Sequence, residues 1–330
     1  MVIVKLLKLQ TRYIPLLATA SVFAILYSIG LASFSHFGSL RVFVNLLGDN
    51  AFLGIAAIGA TFVILSGGID LSVGSVIACT SILMATLLEK GWVPATVISM
   101  ALLFGICFGA AMGCLIHCFA LPAFLVTLAG MFFARGLGFI IHPQALGINH
   151  PFFLNTIGDN LAIRLPHGVE FPFTASCFVV ALLVAMAIAH MTVFGRNVYA
   201  VGGNEQAAKL MGVRIGSAKL MIYTLAGFFS ALAGVVFTFY MQSGNPASCV
   251  GLELDAIAAV VIGGTLLSGG VGYLAGTFLG ILVLGLIQTL ITFHGDLNTW
   301  WTKIVIGMLV LVFILLQNLV TTMTKKGIAQ

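Results

Sequence analysis

Long runs of apolar residues recur along this sequence, with short polar turns between them. A membrane-spanning helix needs about 20 mainly apolar residues, and several of these runs reach that length. Only 7% of the residues are charged, whereas a typical soluble domain has about 25%. Because so few charges cannot cover a water-exposed surface, lipid must surround most of the chain. The sequence therefore predicts an all-α, polytopic membrane protein with one transmembrane domain over residues 1–330.

The lengths of the apolar runs predict about ten transmembrane helices. The second, third, eighth and ninth runs are short and rich in glycine, and turns of only a few residues join them. We expect some of these four to be broken or re-entrant helices, which a membrane tolerates only where protein or a water-filled cavity covers the backbone. The runs are residues 14–32, 50–67, 71–88, 94–118, 122–141, 173–190, 220–241, 252–268, 273–291 and 300–318.

The distribution of Lys and Arg indicates the orientation of the chain, because short cytoplasmic loops carry an excess of both. With the N-terminus placed inside, the basic residues of the inner segments are Lys5, Lys8, Arg12, Arg196, Lys209, Arg214, Lys219, Lys325 and Lys326. Those of the outer segments are Arg41, Lys90, Arg164 and Lys303. We therefore expect a multi-pass protein of the bacterial cell inner membrane with both termini in the cytoplasm.

Two connections are long enough to form structures outside the membrane. Residues 142–172 are expected to be a periplasmic loop, and residues 191–219 a cytoplasmic one. The periplasmic loop has the composition of an ordered cap, with Pro143, Asn149, Pro151, Asp159, Asn160, Pro166 and Pro172. The cytoplasmic loop is the most polar stretch of the chain, so it is the main candidate for a docking surface.

A short motif occurs twice in the glycine-rich runs. Residues 64–76 read ILSGGIDLSVGSV and residues 266–278 read LLSGGVGYLAGTF, so Leu-Ser-Gly-Gly recurs at an offset of 202. Repeated glycine-interrupted segments can mark the path of a solute, although small residues also allow simple close contact between helices. On the first interpretation, candidates for the translocation pathway or its gate are Ser66, Gly67, Gly68, Ser72, Ser268, Gly269 and Gly270.

Two charged residues inside apolar runs join these candidates. The carboxylate of Asp70 costs roughly 2.5–3.5 kcal/mol at mid-membrane, so we expect it to N-cap a helix that begins near Leu71 or to contact the solute or a gate. Arg135 must snorkel, pair or line water, and its partner can be Asp70 or the outer carboxylates. Those carboxylates, Glu253 and Asp255, are expected in the first turn of a helix, where the helix dipole favours them, or at a periplasmic partner.

Motifs of enzymes and metal sites are missing from the sequence. It contains no G-x-x-x-x-G-K-[ST], H-E-x-x-H or G-x-S-x-G. Cys114, His117 and Cys118 fall within one helical turn, but no second ligand pair has the usual zinc spacing. The net charge of +5 comes without the basic and aromatic runs typical of nucleic-acid binding. We therefore predict no catalytic residue, no metal site and no nucleic-acid partner.

Four strings make the chain similar to a known family. They are TFVILSGGIDLSVGSV at 61–76, PAFLVTLAGMFFARGL at 122–137, FGRNVYAVGGNEQAAKLMGV at 194–213 and VVIGGTLLSGGVGYLAGTFLG at 260–280. Over essentially its whole length the chain resembles the ribose-type sugar ABC transporter permease family of bacteria. Within that family it looks most like the second permease subunit of the galactofuranose ABC importer, on residues 49–75, 148–151, 250–258 and 300–307.

The resemblance implies the ABC importer permease fold and an assembly of several proteins. Two permease subunits, identical or paralogous, would form the pathway, and a periplasmic sugar-binding protein would deliver the sugar. An ABC ATPase subunit would use ATP and Mg in the cytoplasm, while this chain itself would bind no cofactor. The residues that the resemblance assigns to ATPase coupling are Gly202, Gly203, Asn204, Glu205, Ala207, Ala208 and Gly212. A short amphipathic helix around residues 204–212 can lie in an ATPase groove.

The resemblance therefore implies a transport subunit for a sugar, expected to be galactofuranose, rather than an enzyme. Ribose, another pentose or a furanose signal is the alternative cargo, and a stand-alone ion-coupled carrier or channel is the alternative class. Six amide side chains near the span ends can bind sugar hydroxyls or satisfy helix termini. They are Asn45, Asn50, Gln242, Asn245, Gln288 and Asn298.

Overall fold

A computed structural model describes residues 2–153, 162–165, 168–295 and 300–326 of the chain. The described residues form thirteen helices and four very short strands. The helices of the first half are α1 (Val2–Ser33), α2 (Leu40–Asp49), α3 (Ala51–Leu65), α4 (Val73–Glu89), α5 (Pro94–Cys118) and α6 (Ala123–Ile141). Those of the second half are α7 (Phe173–Met191), α8 (Val193–Gly203), α9 (Glu205–Leu210), α10 (Ile215–Met241), α11 (Leu252–Ile262), α12 (Leu274–His294) and α13 (Trp300–Lys326).

The number of full spans is smaller than the ten apolar runs suggest. In the described part of the chain, seven helices are long and apolar enough to cross a membrane: α1, α5, α6, α7, α10, α12 and α13. The pair α2 and α3 adds an eighth if it is one span, bent by 55°. The third and eighth runs form only the 17-residue α4 and the 11-residue α11, which are shorter than a full span. The ninth run, by contrast, is the long helix α12.

Both copies of the Leu-Ser-Gly-Gly motif lie where the chain leaves one helix and enters the next. Each lies in a turn that interrupts an apolar helix pair: α3 ends at Leu65 before α4, and α11 ends at Ile262 before α12. The two pairs also contact each other, since the Thr61 and Thr277 hydroxyl oxygens lie 2.8 Å apart in a buried hydrogen bond between α3 and α12. The motif therefore marks two helix breaks that lie against each other.

The centre of the molecule is built on α3 and α10. Every residue of α3 from Gly54 to Leu65 is buried, as expected for a helix that is apolar on all sides. Helix α10 packs along α5, where a Cβ atom on Gly105 or Gly109 would overlap the α10 backbone. The four-residue spacing of Gly105, Gly109 and Gly113 thus gives a helix-packing face, as small residues do in membranes.

The two long loops contain three of the four short strands and the helices α8 and α9. In residues 142–172, β1 (Leu146–Gly147) pairs antiparallel with β4 (Ser243–Gly244), and β2 (Ile163–Leu165) pairs with β3 (Val169–Phe171). Asp159, Asn160 and Pro166 lie outside the described residues. In residues 191–219, α8 and α9 follow each other directly, so the expected short helix is α9.

Candidate functional site: a glycine junction and an exposed loop

Three backbone segments meet without side chains between them: the turn after α3, the turn before α12, and the end of α8. The Gly270 N–H donates to the Leu65 carbonyl oxygen across 2.8 Å, which joins the two turns. A Cβ atom on Gly202 would overlap the Leu65 carbonyl oxygen, and one on Gly270 would lie 2.6 Å from the Gly203 Cα. We call Leu65, Gly67, Gly202, Gly203, Gly269 and Gly270 the glycine junction.

Glycine is required at the junction for two separate reasons. Gly269 and Gly270 have φ angles of 83° and 76°, in the left-handed region that L side chains rarely adopt. A Cβ on Gly269 would also lie 2.7 Å from the backbone nitrogen of Gly67. Backbone conformation and space therefore both exclude larger residues from the second turn.

Helix α8 has a second attachment to the turn before α12. The Tyr199 hydroxyl donates to the Gly272 carbonyl oxygen across 2.9 Å. The rings of Tyr199 and Tyr273 also flank His190 at the end of α7, each with its centroid 6.4 Å from the imidazole. Because Tyr199 anchors α8 one turn before Gly202, the helix cannot move without moving this turn.

Asp70 lies in the turn between α3 and α4, close to the glycine junction. Its side chain is only 3% exposed, and its Oδ1 accepts from the backbone N–H and the hydroxyl of Ser72, at 2.8 and 2.7 Å. Helix α4 begins at Val73 with Ser72 in the N-cap position, so Asp70 stabilises the turn before the helix and is not the cap of a helix beginning near Leu71. Its second oxygen, Oδ2, has no hydrogen-bond partner among the described residues.

Neighbouring helices cover this turn. A Cβ on Gly68 would overlap the Tyr223 hydroxyl of α10, and the Thr127 hydroxyl of α6 donates to the Ile69 carbonyl at 3.2 Å. The side chain of Ser66 bonds only within its own turn, to the Val63 carbonyl at 2.7 Å. Ser268 contributes its backbone, since its carbonyl would lie 3.5 Å from a Cβ on Gly67. These predicted gate residues are thus brought together by backbone packing.

Arg135 does not belong to this cluster. Its guanidinium donates to the Pro246 and Ser248 carbonyl oxygens, at 2.7 and 2.5 Å, and so fastens the loop between β4 and α11 to α6. Within the described chain it forms no ion pair with Asp70, Glu253 or Asp255, the carboxylates considered from the sequence. The structure therefore separates Arg135 from the other gate candidates.

The outer carboxylates occupy the position expected of them. Glu253 and Asp255 both lie in the first turn of α11, where the helix dipole favours negative charge. Asp255 also pairs with Lys303 of α13, with 2.5 Å between Nζ and Oδ2. A Cβ on Gly74 would overlap the buried Oε2 of Glu253, so α4 packs closely against this turn.

The predicted coupling residues form one exposed unit. The Asn204 side chain caps α9 by accepting from the Ala207 N–H at 2.9 Å, and Ala208 is buried beneath the helix. Glu205 pairs with Lys219 of α10 at 2.9 Å. Gly212 ends the unit with a φ of 86°. This geometry makes α9 a short rigid projection tied to α10.

Two residues of this loop were not singled out from the sequence. Leu210 and Met211 are adjacent apolar side chains that are 89% and 73% exposed. Beside them, a groove of about 480 Å³ is lined by α8 and the start of α10, including Phe194, Asn197 and Arg214. In the sequence, Leu210 and Met211 can be recognised as two adjacent apolar residues inside the most polar stretch of the chain.

The amide side chains considered from the sequence fall into two places. Asn45, Asn50 and Gln288 line one cavity beside α2 and α12. Gln242 and Asn245 belong to the segment between α10 and α11, which Arg135 fastens to α6. Asn298 lies outside the described residues.

Comparison with known proteins gives a family match over most of the chain. The family described as the permease component of the branched-chain amino acid transport system matches residues 42–314. An inner membrane ABC transporter permease protein of Escherichia coli K12, YjfF, is 48% identical over 94% of this chain and 94% of its own length. The fructose import permease FruG of Bifidobacterium longum is 37% identical over 95% of this chain and 93% of its own.

A third relative, the ribose import permease RbsC of Bacillus subtilis, is 38% identical over 83% of this chain and 84% of its own length. No solved structure matches the chain.

Proposed function

Because this chain belongs to the permease-component family, among its ribose-type sugar ABC permeases, we propose that it is a membrane-spanning subunit of a binding-protein-dependent galactofuranose importer. Its role is to carry the sugar across the inner membrane with energy from ATP hydrolysed by a separate subunit. The observation that supports this proposal is the glycine junction, because it connects the exposed loop 191–219 to both helix breaks by direct backbone contact.

The junction suits the transmission of force. Contacts through long side chains can absorb a displacement by changing rotamers, whereas close backbone contact has no such freedom. When the ATPases close on ATP, the pressure on α9 passes through α8 to the turns at Gly67 and Gly269, and the helices that follow these turns shift between two arrangements. In this scheme Ser66, Ser72 and Asp70 hold the first turn, and Ser268 the second.

The ATPase subunit docks on the exposed face of the cytoplasmic loop. Leu210 and Met211 are the apolar anchors, and the adjacent groove beside Phe194 offers a recess for a complementary side chain. A few buried apolar anchors commonly supply most of the free energy of a protein interface. Residues 191–219 are accordingly cytoplasmic, and both termini lie on the same side.

On the periplasmic side, the loop 142–172 faces the sugar-binding protein. A second permease subunit, identical or paralogous, completes the pathway. The apolar faces of α5 and α6, where Leu103, Phe132 and Ile140 are 58%, 65% and 81% exposed, are covered by lipid or by that subunit.

Galactofuranose as the cargo rests on the sequence resemblance, and ribose is the second candidate because a ribose import permease is 38% identical to this chain. Uptake of labelled galactofuranose and labelled ribose, measured in a strain that lacks only this chain and in the complemented strain, decides between them. Loss of galactofuranose uptake alone supports the first proposal, and loss of ribose uptake alone supports the second. A stand-alone carrier would restore uptake in a strain without the ATPase, which would contradict both.

A further inference from the structure

A cavity of about 580 Å³ lies between α2, the end of α10, the start of α11 and the second half of α12. Arg41, Asn45 and Asp49, which are spaced four residues apart, line it from α2. Gln288 and Thr292, also four apart, line it from α12. Residues at this spacing share one face of a helix. Helices α2 and α12 therefore both turn a polar face toward the cavity, in a chain that has few polar side chains.

Hydrogen-bonding groups on this surface are still available for a ligand. In the described part of the chain, the Arg41 guanidinium and the Asn45 and Gln288 amides have no protein partner, whereas Asp49 accepts from the Tyr240 hydroxyl at 3.3 Å. The amides offer both donors and acceptors, which is what a ligand carrying several hydroxyl groups requires. An ionic ligand would need a surplus of one charge, but Arg41 and Lys303 balance Asp49 and Asp255 here.

Aromatic rings border the same space. Phe52 and Tyr240 form a tilted pair with centroids 5.8 Å apart, and Phe293 closes the other side. Such rings present flat apolar surfaces against which the C–H faces of a sugar ring can pack. The volume also falls within the range of about 300–1,000 Å³ usual for small-molecule sites.

The cavity lies at the far end of the helices that reach the glycine junction. Helix α3 runs from Ala51, beside the cavity, to Leu65 in the junction, and its 15 residues span about 22 Å. Helix α12 makes the same connection, from Leu274 beside the junction to Gln288 in the cavity. The Thr61–Thr277 hydrogen bond joins the two helices between these ends. A movement at the junction therefore acts directly on the α12 wall and, through α3, on the bend that leads into the α2 wall.

We propose that this cavity is a binding station for one neutral sugar within a single permease chain, with Asn45 and Gln288 as its hydroxyl-binding residues. This rests on the proposed function as a sugar permease. The station receives the sugar at the outer ends of α3 and α12. A movement that starts at the glycine junction shifts these helices, changes the distance between the walls of the cavity and releases the sugar.

The test uses the complete importer in proteoliposomes, with Thr292→Cys at the rim as a reporter. None of the six native cysteines lines the cavity. Their labelling is measured in the chain without Thr292→Cys and subtracted. A membrane-impermeant methanethiosulfonate labels the reporter in the presence of galactofuranose, D-ribose or D-fructose, or of potassium chloride at equal osmolality. We expect one sugar to slow labelling about threefold or more, as a site that is about two-thirds occupied or fuller does, and potassium chloride to have no effect.

A second variant shows whether the named amides cause the protection. Gln288→Met in the reporter chain removes the hydrogen-bonding group at nearly constant size, so protection is expected to disappear. Gln144→Met is the matched control, because this exposed glutamine lies outside the cavity, and protection should persist.

If the importer transports a sugar that does not slow labelling, the cavity proposal is wrong and the proposed function stands. Equal protection in both methionine variants would also overturn the role of Gln288. An importer that transports none of these sugars, without protection by any, overturns both proposals.

Discussion

The backbone N–H of Gly270 donates to the carbonyl of Leu65 across 2.8 Å, although the two residues are 205 positions apart in the chain. This bond connects the two copies of the Leu-Ser-Gly-Gly motif directly. The end of α8 packs against the same point, where Gly202 touches the Leu65 carbonyl. One small region therefore links both helix breaks to the loop proposed to receive the ATPase.

Gly202→Ala is expected to abolish coupling, whereas Gly203→Ala is expected to be tolerated. A Cβ on Gly202 would overlap the Leu65 carbonyl oxygen, but one on Gly203 meets nothing within 4 Å. Overpacking of this kind typically costs 1–3 kcal/mol, so uptake should fall by about tenfold or more in the first variant. Sugar uptake and membrane abundance, measured together in both variants, check this. Equal uptake in the two would show that the contact at Leu65 transmits nothing.

Asp70→Ala is expected to destabilise the protein more than Asp70→Asn. The alanine variant loses both hydrogen bonds from Ser72, and leaving buried donors unpaired costs about 1–3 kcal/mol. Asparagine keeps an acceptor oxygen at the Oδ1 position. Thermal unfolding of the purified variants in one detergent measures the order, and an asparagine variant as unstable as the alanine variant would contradict it. Lost transport by a stably folded Asp70→Asn variant would assign a function to the charge itself.

Several features of the fold were predictable from the sequence because they depend on local pattern. The long apolar helices follow from run length, and the α5 packing face follows from the spacing of Gly105, Gly109 and Gly113. Where the eighth run breaks could not be predicted, because hydropathy cannot distinguish an apolar helix from an apolar turn: α11 stops at Ile262, and the rest of the run forms the turn before α12.

Other features depend on tertiary contacts that leave no pattern in the sequence. The partners of Arg135 are backbone carbonyls of Pro246 and Ser248, which any residue types could supply. Helix α2 escaped detection because its polar face lowers the hydropathy of residues 40–49. That same face of α2 lines the proposed sugar station. The cavity could not be predicted from the sequence, because it forms only where α12 lies opposite this face.

Leu210→Asp and Met211→Asp are each expected to weaken ATPase binding without affecting insertion. Both side chains are exposed, so a carboxylate costs the folded chain little, but it would be desolvated in an apolar contact. Co-purification of the ATPase with the tagged permease measures the effect, and we expect recovery to fall about tenfold. Val250→Asp is the matched control, since Val250 is 76% exposed on the opposite, outer side of the proposed topology. ATPase recovery that is the same in all three variants would rule out this docking surface.

Arg135→Met is expected to release the loop between β4 and α11. The guanidinium holds two carbonyls of this loop, and the neighbouring Cys249 is only partly exposed. Labelling of Cys249 by a maleimide should therefore accelerate severalfold, as it does when a local opening becomes less costly. Arg135→Lys should restore part of the protection, because its ammonium can still donate to a carbonyl. Labelling of the other cysteines is measured in chains that carry Cys249→Ser. A labelling rate of Cys249 that is unchanged in Arg135→Met would show that Arg135 does not hold the loop.

Lys209→Cys is expected to react with a membrane-impermeant thiol reagent only from the cytoplasmic side. Lys209 lies in α9, in the loop proposed to meet the ATPase, whereas Asn149 lies in the loop assigned to the periplasm. In intact spheroplasts, Asn149→Cys should therefore be labelled and Lys209→Cys should not; in inside-out vesicles the pattern should reverse. The same two variants are labelled in both preparations. A variant that is labelled in neither preparation is recognised as poorly expressed. If Lys209→Cys is labelled from outside intact cells, no cytoplasmic ATPase can reach α9, and the glycine junction cannot be the route by which ATP hydrolysis moves the helices.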